Sequence, residues 1–190
     1  MTSQPRKLPY GDGRDALLAA VISVVAEKGL RGVTYRSVGS RAGVNHALVT
    51  HHFGSLDGLL AATMEWAVRR SIEETGLEGI ADFDESFADA LIGSVGAEPE
   101  LQLFQFEMIL ESRRNPEIRE MVSRLYENYV RTVEQALVKK GIDTHNEVSL
   151  AAFAALDGLM LQFLTISDVT RIRPAVVEVC RMLARLQKPG

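Results

Sequence analysis

The chain has 190 residues, 46% of them hydrophobic and 24% charged, which is ordinary for a soluble globular protein and sufficient for one large or two small domains. Its single cysteine, Cys180, excludes an internal disulfide, and the basic N-terminal residues precede no apolar core, so we expect a cytoplasmic protein without a signal peptide. The net charge of −4 argues weakly against a nucleic-acid partner.

The charge is unevenly distributed along the chain. Residues 1–60 contain seven Lys or Arg and four Asp or Glu, a balance of +3, whereas the remainder has a balance of −7. The same residues hold three of the four histidines. A basic module on an acidic body suits a head that faces phosphates, and chance asymmetry in so short a segment is the alternative.

A flexible arm and a first helix are predicted before residue 30. Residues 1–13 contain two prolines, two glycines and few apolar residues, which is typical of an unstructured arm. Arg6 and Lys7 in this arm could reach phosphates or a minor groove, although such tails are more often only solvated. Residues 14–28 repeat apolar side chains at helical spacing, and Gly29 marks the end of that helix.

Residues 34–53 have the pattern of two short helices joined by a tight turn. Thr34 and Asn45 can cap the two helices, and Gly43 can adopt the left-handed backbone at the end of the first one. The inward anchors are Val38, Ala42, Val49 and Phe53, and the outward side chains are His46, Ala47, Thr50 and His51. The pattern predicts a helix-turn-helix, whose second helix enters the DNA major groove; an ordinary helical hairpin with a glycine turn fits it equally well.

A connector helix and a helical body are predicted after this motif. Ser55 can cap the connector, and Gly76 and Gly79 mark its end. The body shows no period-2 strand pattern, and residues 101–110 are apolar on most sides and are expected to be deeply buried. Further helix starts are predicted at an Asp82/Glu85 capping box, at Pro99, at Asn115-Pro116, at a Thr144/Glu147 capping box and, for the last helix, at about Pro174.

The stretch of residues 148–166 is apolar on nearly every side. A membrane span is rejected, because Asp157 stands at its middle, where a charge is expensive in lipid. In a soluble protein such a helix has to be covered on all sides, and small side chains would let a partner helix approach closely. The small residues are Ala151, Ala152, Ala154, Ala155 and Gly158. We therefore expect a homodimer that is joined through the last two helices of each subunit and has no membrane partner.

Patterns typical of enzymes and metal sites are absent from the sequence. His51 and His52 are adjacent and project in different directions from a helix, so they make a poor metal pair. No HExxH, GxSxG or glycine-rich phosphate loop occurs, and Cys180 has no histidine near it in sequence. We expect neither an enzyme nor a bound metal or cofactor.

The residues that carry a family resemblance lie near the N-terminus. A helix is followed by Gly29, Gly32-Val33-Thr34, Arg41-Ala42-Gly43-Val44, Val49, His52-Phe53 and Leu59-Leu60. With this spacing over residues 14–60, the chain resembles the TetR (tetracycline-repressor-like) family of transcriptional regulators. The stretch Leu156-Asp157-Gly158-Leu159 also resembles one that is common in the dimer helices of that family.

The resemblance implies an all-α fold of about nine helices. It divides the chain into the arm 1–13, a three-helix head with a helix-turn-helix at 14–54, and a helical ligand-binding and dimerisation body at 55–190. The function that it implies is a homodimer that represses transcription at a palindromic operator in double-stranded DNA and is released by a small effector molecule.

The resemblance also implies which residues contact DNA: those at the start of the second helix and on the outer face of the third. They are Thr34, Tyr35, Arg36, Asn45, His46, Ala47, Thr50, His51 and His52. Their chemistry agrees with this role, since Arg36 can make paired hydrogen bonds to guanine and Ala47 can sit against a thymine methyl group.

Three positions depart from the family pattern. Thr50 stands where a phosphate-contacting tyrosine is usual, Leu56 where a lysine is usual, and Gly39 where an alanine would stabilise the second helix by up to about 1 kcal/mol. We expect lower operator affinity and a flatter salt dependence, with His51 and the arm as candidates for compensation. The alternative function is a helical small-molecule-binding protein with weak or no operator binding.

The effector pocket is predicted from composition only. Aromatic and methionine side chains of the body, with a few polar anchors, are candidate lining residues for an apolar or aromatic effector. The candidates are Trp66, Phe87, Phe106, Glu107, Tyr126, Phe153, Asp157 and Met160. Such side chains at helical spacing are more often plain core, and core is the favoured interpretation for any single one.

Overall fold

Helices account for nearly all of the structure. The computed structural model describes residues 12–75, 84–142, 144 and 146–187, and among them there is no β-strand beyond one isolated bridge between Ile142 and Gln187. Within these ranges the helices are α1 (Asp12–Lys28), α2 (Tyr35–Ala42), α3 (Ala47–Phe53), α4 (Leu56–Thr75), α5 (Glu85–Ala97), α6 (Pro99–Ser112), α7 (Pro116–Lys139), α8 (Asn146–Thr165) and α9 (Val169–Ala184). The predicted all-α fold is confirmed.

The chain divides into two compact units. Unit 1 comprises Met1–Val68 and Glu100–Val122, and unit 2 comprises Arg69–Pro99 and Ser123–Gly190. In unit 1, α1 packs against α2 and α3. Large apolar side chains with almost no exposure form its core: Leu17, Leu18, Val21, Val38, Val49, Leu59, Phe104 and Met108. The domain boundaries expected from the sequence stay a prediction.

Several predicted helix boundaries in unit 1 are confirmed. Helix α1 ends at Lys28, and Gly29 follows with a φ of +67°. It begins at Asp12, so it includes the last two residues of the predicted arm, whereas residues 1–11 lie outside the described residues. Ser55 Oγ accepts a hydrogen bond from the Gly58 N–H at 3.0 Å, and Asn115 Oδ1 accepts one from the Glu117 N–H at 3.0 Å, so both predicted caps form.

Helix α6 corrects the expectation that residues 101–110 are deeply buried. Leu101, Phe104 and Met108 are buried, but Glu107 is exposed and Leu110 is 72% exposed. The buried positions recur every three or four residues, so the helix has one covered face and one open face. Apolar composition alone did not reveal which residues lie on the open face.

In unit 2, α8 packs against α9, and α5 packs against both. The buried side chains include Phe87, Leu91, Val133, Leu137, Ile172, Val176 and Cys180. Burial raises the pKa of the Cys180 thiol to about 11. Helix α7 ends as predicted, since Gly141 has a φ of +69° and its N–H donates to the Val138 carbonyl at 2.9 Å.

Three predicted helix starts in unit 2 are wrong. Helix α5 is capped by Asp84, whose Oδ1 accepts the Ser86 N–H at 2.8 Å; Asp82 lies outside the described residues, as do Gly76 and Gly79. Helix α9 begins at Val169 with Asp168 as its cap, so Pro174 lies inside the helix instead of at its start. The Thr144/Glu147 box does not form, because the buried Thr144 Oγ1 has no hydrogen-bond partner among the described residues.

Helix α8 has one covered side and one open side. Ala152, Phe153, Leu156 and Met160 are buried, whereas Ala151, Ala154 and Ala155 are exposed and Gly158 is half-buried. Ala152 therefore faces its own unit and not a partner, contrary to the prediction. The stretch Glu147–Thr165 has the length and composition to cross a bilayer, but core helices of soluble proteins pass the same test.

Candidate nucleic-acid interface

The start of α2 is fixed by reciprocal hydrogen bonds between two hydroxyl side chains and the backbone. Thr34 Oγ1 accepts the Ser37 N–H at 3.0 Å, and Ser37 Oγ accepts the Thr34 N–H at 2.9 Å. These two bonds satisfy backbone donors that a helix start leaves free, and they confirm Thr34 as the cap. Because Thr34 is the cap, α2 begins at Tyr35, and Tyr35 and Arg36 are its first two residues.

A glycine turn joins α2 to α3. Gly43 has a φ of +67° and a ψ of 25°, the left-handed conformation predicted for this position. The next amide, the Val44 N–H, donates to the Gly39 carbonyl at 3.0 Å. Asn45 Oδ1 accepts the Ala47 N–H at 2.9 Å, so the Asn45 side chain does bond to the start of α3. The N-cap position, however, is held by His46 and not by Asn45 as predicted.

The two helices of this motif approach each other at backbone distance. A Cβ atom added to Gly39 would lie 2.9 Å from the Cα and 3.0 Å from the backbone nitrogen of His46. Gly39 is therefore more than a weak helix former, because its missing side chain provides the space for the start of α3. No local sequence pattern reveals this contact, since it depends on how the two helices pack.

Two of the four predicted inward anchors are buried, Val38 and Val49, whereas Ala42 and Phe53 are half-buried. Val38 and Val49 are both 0% exposed and hold α2 and α3 against α1. Of the nine predicted DNA-contacting residues, Tyr35 is half-buried and the other eight are exposed: Thr34, Arg36, Asn45, His46, Ala47, Thr50, His51 and His52. The exposed side chains lie within 19 consecutive residues of one helix-turn-helix.

The cations of unit 1 near this motif differ in what they contact. Arg41 forms an ion pair with Glu27 of α1, and its guanidinium holds the pKa of that carboxylate below its usual range. The Arg14 guanidinium lies over the ring of Phe53, 5.5 Å from its centroid. Arg36 is exposed and makes no ion pair with another residue that the structure describes, so its guanidinium is available for a base or a phosphate.

Two histidine rings stand side by side in the last turn of α3. The His51 and His52 ring centroids are 5.0 Å apart in an edge-to-face arrangement, and the His52 ring is 6.0 Å from that of Phe53. Both imidazoles are exposed. Each carries ring nitrogens that can donate to a phosphate or to a base edge.

The candidate effector residues are divided between the two units. Trp66, Phe106 and Glu107 belong to unit 1, and Glu107 is exposed. Phe87, Tyr126, Phe153, Asp157 and Met160 belong to unit 2. Three of the candidates in unit 2, Tyr126, Phe153 and Asp157, are linked by a hydrogen bond and a ring contact.

This group in unit 2 is centred on a carboxylate. The Tyr126 hydroxyl donates to Asp157 Oδ2 at 2.8 Å, and the Phe153 ring stands edge-on to the Tyr126 ring at 5.1 Å. Phe153 also stacks on Tyr129, with centroids 5.3 Å apart. Burial raises the pKa of the Asp157 carboxyl, although the hydrogen bond from Tyr126 opposes the shift, and burial raises the pKa of Tyr126 as well.

Tyr129 belongs to this group but was not among the candidates predicted from the sequence. The available signal was its position three residues after Tyr126, on the same face of the helix.

Comparison with known proteins decides the family. The family model "Bacterial regulatory proteins, tetR family" matches residues 17–63, and the model "Tetracyclin repressor-like, C-terminal domain" matches residues 78–186, which is more than half of the chain. The chain belongs to the TetR family. It is accordingly a transcription regulator with a DNA-binding helix-turn-helix, and not an enzyme.

Individual TetR-family relatives cover most of the chain. The HTH-type transcriptional regulator CymR of Pseudomonas putida is 26% identical over 192 aligned positions that span 87% of each protein. A TetR-family regulator of Rhodococcus sp. has 20% identity and a TM-score of 0.75, covering 92% of this chain and 100% of its own. The multidrug binding protein EbrR, solved in complex with imidazole, has 24% identity and a TM-score of 0.69 over 93% of this chain and 96% of its own. These structural likenesses show the fold.

Proposed function

We propose that this TetR-family chain is a repressor that binds a palindromic operator as a homodimer and is released by a small apolar or aromatic molecule. The observation that carries the DNA-binding part is the open outer face of α2 and α3, opposite the buried Val38 and Val49. Its position on α2 leaves the guanidinium of Arg36 free to make a bidentate contact with guanine. The small Ala47 side chain suits a thymine methyl group, and Asn45 and the histidines offer donors to bases and phosphates.

The phosphate contacts of this chain are expected to be fewer than in the usual family pattern. Thr50 is exposed but short, and Leu56 is apolar and half-buried. Arg41 and Arg14 are each engaged inside unit 1, with Glu27 and Phe53 respectively. Operator affinity is therefore expected to fall less steeply with salt than for a protein with two more phosphate contacts.

The dimer would form through the open sides of α8 and α9. On α8, the exposed Ala151, Ala154 and Ala155 lie near Leu150, which is 50% exposed, and Leu161, which is 40% exposed. On α9, Met182 is 50% exposed and lies at helical spacing with the half-buried Ala175. Leu186, two residues past the end of α9, is 49% exposed. Small side chains let helices of two subunits approach, and the leucines and methionine supply apolar area.

A symmetric dimer determines the form of the operator. The two α3 helices would enter successive major grooves about 34–36 Å apart, one helical turn of DNA or a small multiple. The preferred site is then a palindrome or near-palindrome. A DNA partner also agrees with the predicted cytoplasmic location.

The effector would bind at the Tyr126–Phe153–Asp157 group. Its aromatic rings offer stacking area, and the Asp157 carboxyl and Tyr126 hydroxyl offer hydrogen bonds to a ligand. The multidrug binding protein EbrR has the same fold and holds imidazole, a small aromatic ring, in its crystal. Release of DNA requires that the effector bind the DNA-free state more tightly than the DNA-bound state.

The decisive experiment is a selection of random double-stranded DNA on the purified protein at near-physiological salt. We expect enrichment of a palindromic site that Arg36→Ala binds about 5–150-fold more weakly, the equivalent of about 1–3 kcal/mol. Arg69→Ala is the matched control, since it removes one exposed arginine from α4 outside the helix-turn-helix. If no sequence is enriched even at low salt, the chain is instead a helical small-molecule-binding protein without an operator.

The enriched site also provides the test for the effector. Protein bound to labelled operator is challenged with a library of small aromatic molecules, and release of DNA identifies an effector. Asp157→Asn keeps the side-chain volume and the acceptor for Tyr126 but removes the carboxylate, so an effector that uses the carboxylate should release the wild type more readily than the variant. Equal release of both proteins would contradict a role for Asp157.

A further inference from the structure

The positive charge that the recognition helix can offer to DNA is carried by histidine alone. Helix α3 and the residue before it contain no lysine or arginine; the side chains that can become cationic are His46, His51 and His52. All three are exposed. The histidine side chain is the one whose charge ordinarily changes between pH 5 and 8.

The geometry makes His51 and His52 a coupled pair. Their ring centroids are 5.0 Å apart, so two imidazolium charges there would repel each other. A phosphate beside the rings has the opposite effect, because a nearby negative charge favours the protonated imidazole. Both rings lie in the last turn of α3, and His46 stands at the opposite end of the helix.

The other charged side chains near α3 belong to α1, α2 and the start of α4, and they do not change their charge in the pH range in which a histidine does. Apart from Asp12, whose side chain lies outside the described part of the chain, they are Arg14, Asp15, Glu27 and Lys28 on α1, Arg36 and Arg41 on α2, and Asp57 in the first turn of α4. Carboxylates, lysines and arginines at their ordinary pKa values keep a constant charge between pH 6 and 8. Two of the cations are also occupied, since Arg41 pairs with Glu27 and Arg14 lies over Phe53.

We propose that operator binding by this chain is coupled to proton uptake at the His51–His52 pair, so that affinity rises as pH falls from 8 to 6. The inference rests on the proposed operator binding. The sign follows from linkage: if the complex holds more protons than the free protein, lowering the pH favours the complex. A complex that takes up one full proton would bind tenfold more tightly for each pH unit, and partial uptake gives less.

The test measures the dissociation constant for the selected operator by fluorescence anisotropy at pH 6, 7 and 8 and constant ionic strength. We expect binding at pH 6 to be about 10–100-fold tighter than at pH 8. The slope of log affinity against log salt should also become steeper at pH 6, by up to about 0.9 for each additional phosphate contact. Each measurement uses the full chain.

Variants of the pair separate proton coupling from a general effect of pH. The double variant His51→Gln, His52→Gln should lose the pH dependence, and His51→Arg should bind at pH 8 nearly as tightly as the wild type does at pH 6. His145→Gln is the matched control, because it removes the fourth histidine, which lies outside the helix-turn-helix in sequence. Circular dichroism checks that each variant is folded.

Failure of this inference can be distinguished from failure of the proposed function. A wild-type dissociation constant that is equal at pH 6 and pH 8 refutes proton coupling and leaves operator binding intact. A pH dependence that survives in the double glutamine variant also refutes the assignment to this pair. If no operator is found at any pH, both proposals are wrong.

Discussion

At the scale of single residues, two glycines inside helices have opposite surroundings. Gly39 in α2 is buried, and a Cβ atom there would meet the His46 backbone at 2.9 Å. Gly93 in α5 is exposed, and a Cβ atom there would meet nothing within 4 Å. Alanine is the better helix former at both positions by about 0.5–1 kcal/mol. A difference in stability between the two alanine variants therefore reflects whether there is room for the added Cβ atom.

We therefore expect the two glycine-to-alanine substitutions to change stability in opposite directions. Gly93→Ala should raise the free energy of unfolding by about 0.5–1 kcal/mol. Gly39→Ala should lower it by about 1–3 kcal/mol, because the backbone of the turn has to move. Urea denaturation followed by circular dichroism measures both variants. A stabilising Gly39→Ala would show that α3 can move away at little cost, and the interpretation of Gly39 as a merely weak helix former would then stand.

At the scale of elements, two threonines fit the sequence pattern of a helix cap, and one of them acts as a cap. Thr34 exchanges hydrogen bonds with Ser37 at 2.9 and 3.0 Å, and the left-handed Gly43 closes the same helix. Thr144 has a suitable partner in sequence, Glu147, but its Oγ1 is buried without a hydrogen bond among the described residues. A capping pattern in the sequence shows only that a side chain is able to accept a hydrogen bond from the helix start. Whether the bond forms depends on the path of the backbone before the helix.

The stability losses of Thr34→Ala and Thr144→Ala distinguish a threonine that caps a helix from one that only matches the capping pattern. Thr34→Ala should cost about 0.5–2 kcal/mol of stability, because a backbone N–H at the start of α2 loses its acceptor. Thr144→Ala should be within about 0.5 kcal/mol of the wild type, since the Thr144 hydroxyl makes no hydrogen bond to any residue that the structure describes. Chemical denaturation gives both values. An equal loss for the two variants would contradict the caps assigned here.

The same contrast explains how much of the fold and the site could be predicted from the sequence. Helical periodicity identified Val38 and Val49 as anchors and left Arg36 and Thr50 outside, because burial of one helix face is written into the spacing of apolar residues. Periodicity did not locate the start of α9, because Asp168 caps it and Pro174 is accommodated inside. Tertiary approach, such as that of Gly39 to His46, has no local signal in the sequence.

At the scale of the whole molecule, the sequence predicts the open face of α8 better than it predicts the residues of an effector site. Composition grouped eight candidate pocket residues, among which Tyr126 contacts both Phe153 and Asp157. The open face of α8 was easier to anticipate, because a helix that is apolar all round cannot be fully covered by one small unit. Its exposed alanines confirm an uncovered side, and Ala152 shows that the sequence could not say which alanines lie on it.

A charge on the open side of α8 tests whether that side joins two subunits. Ala154 is exposed in the single chain and lies at helical spacing with Leu150 and Leu161. In the proposed dimer, Ala154→Arg would bury two unpaired charges of the same sign across a symmetric interface, so we expect the dimer dissociation constant to rise at least about 100-fold, the equivalent of about 3–5 kcal/mol. Light scattering coupled to size-exclusion chromatography measures the mass in solution.

The matched control is Ala90→Arg, which places the same side chain at an exposed alanine of α5. It should leave the mass at that of the wild type. If Ala154→Arg dissociates the dimer, it should also abolish the preference for a palindrome over a single half-site, because one head reads one half-site and the symmetry of the operator comes only from the second subunit. A monomeric wild type, or a dimer that tolerates Ala154→Arg, would exclude this face as the interface, and the two-fold operator would then need another origin.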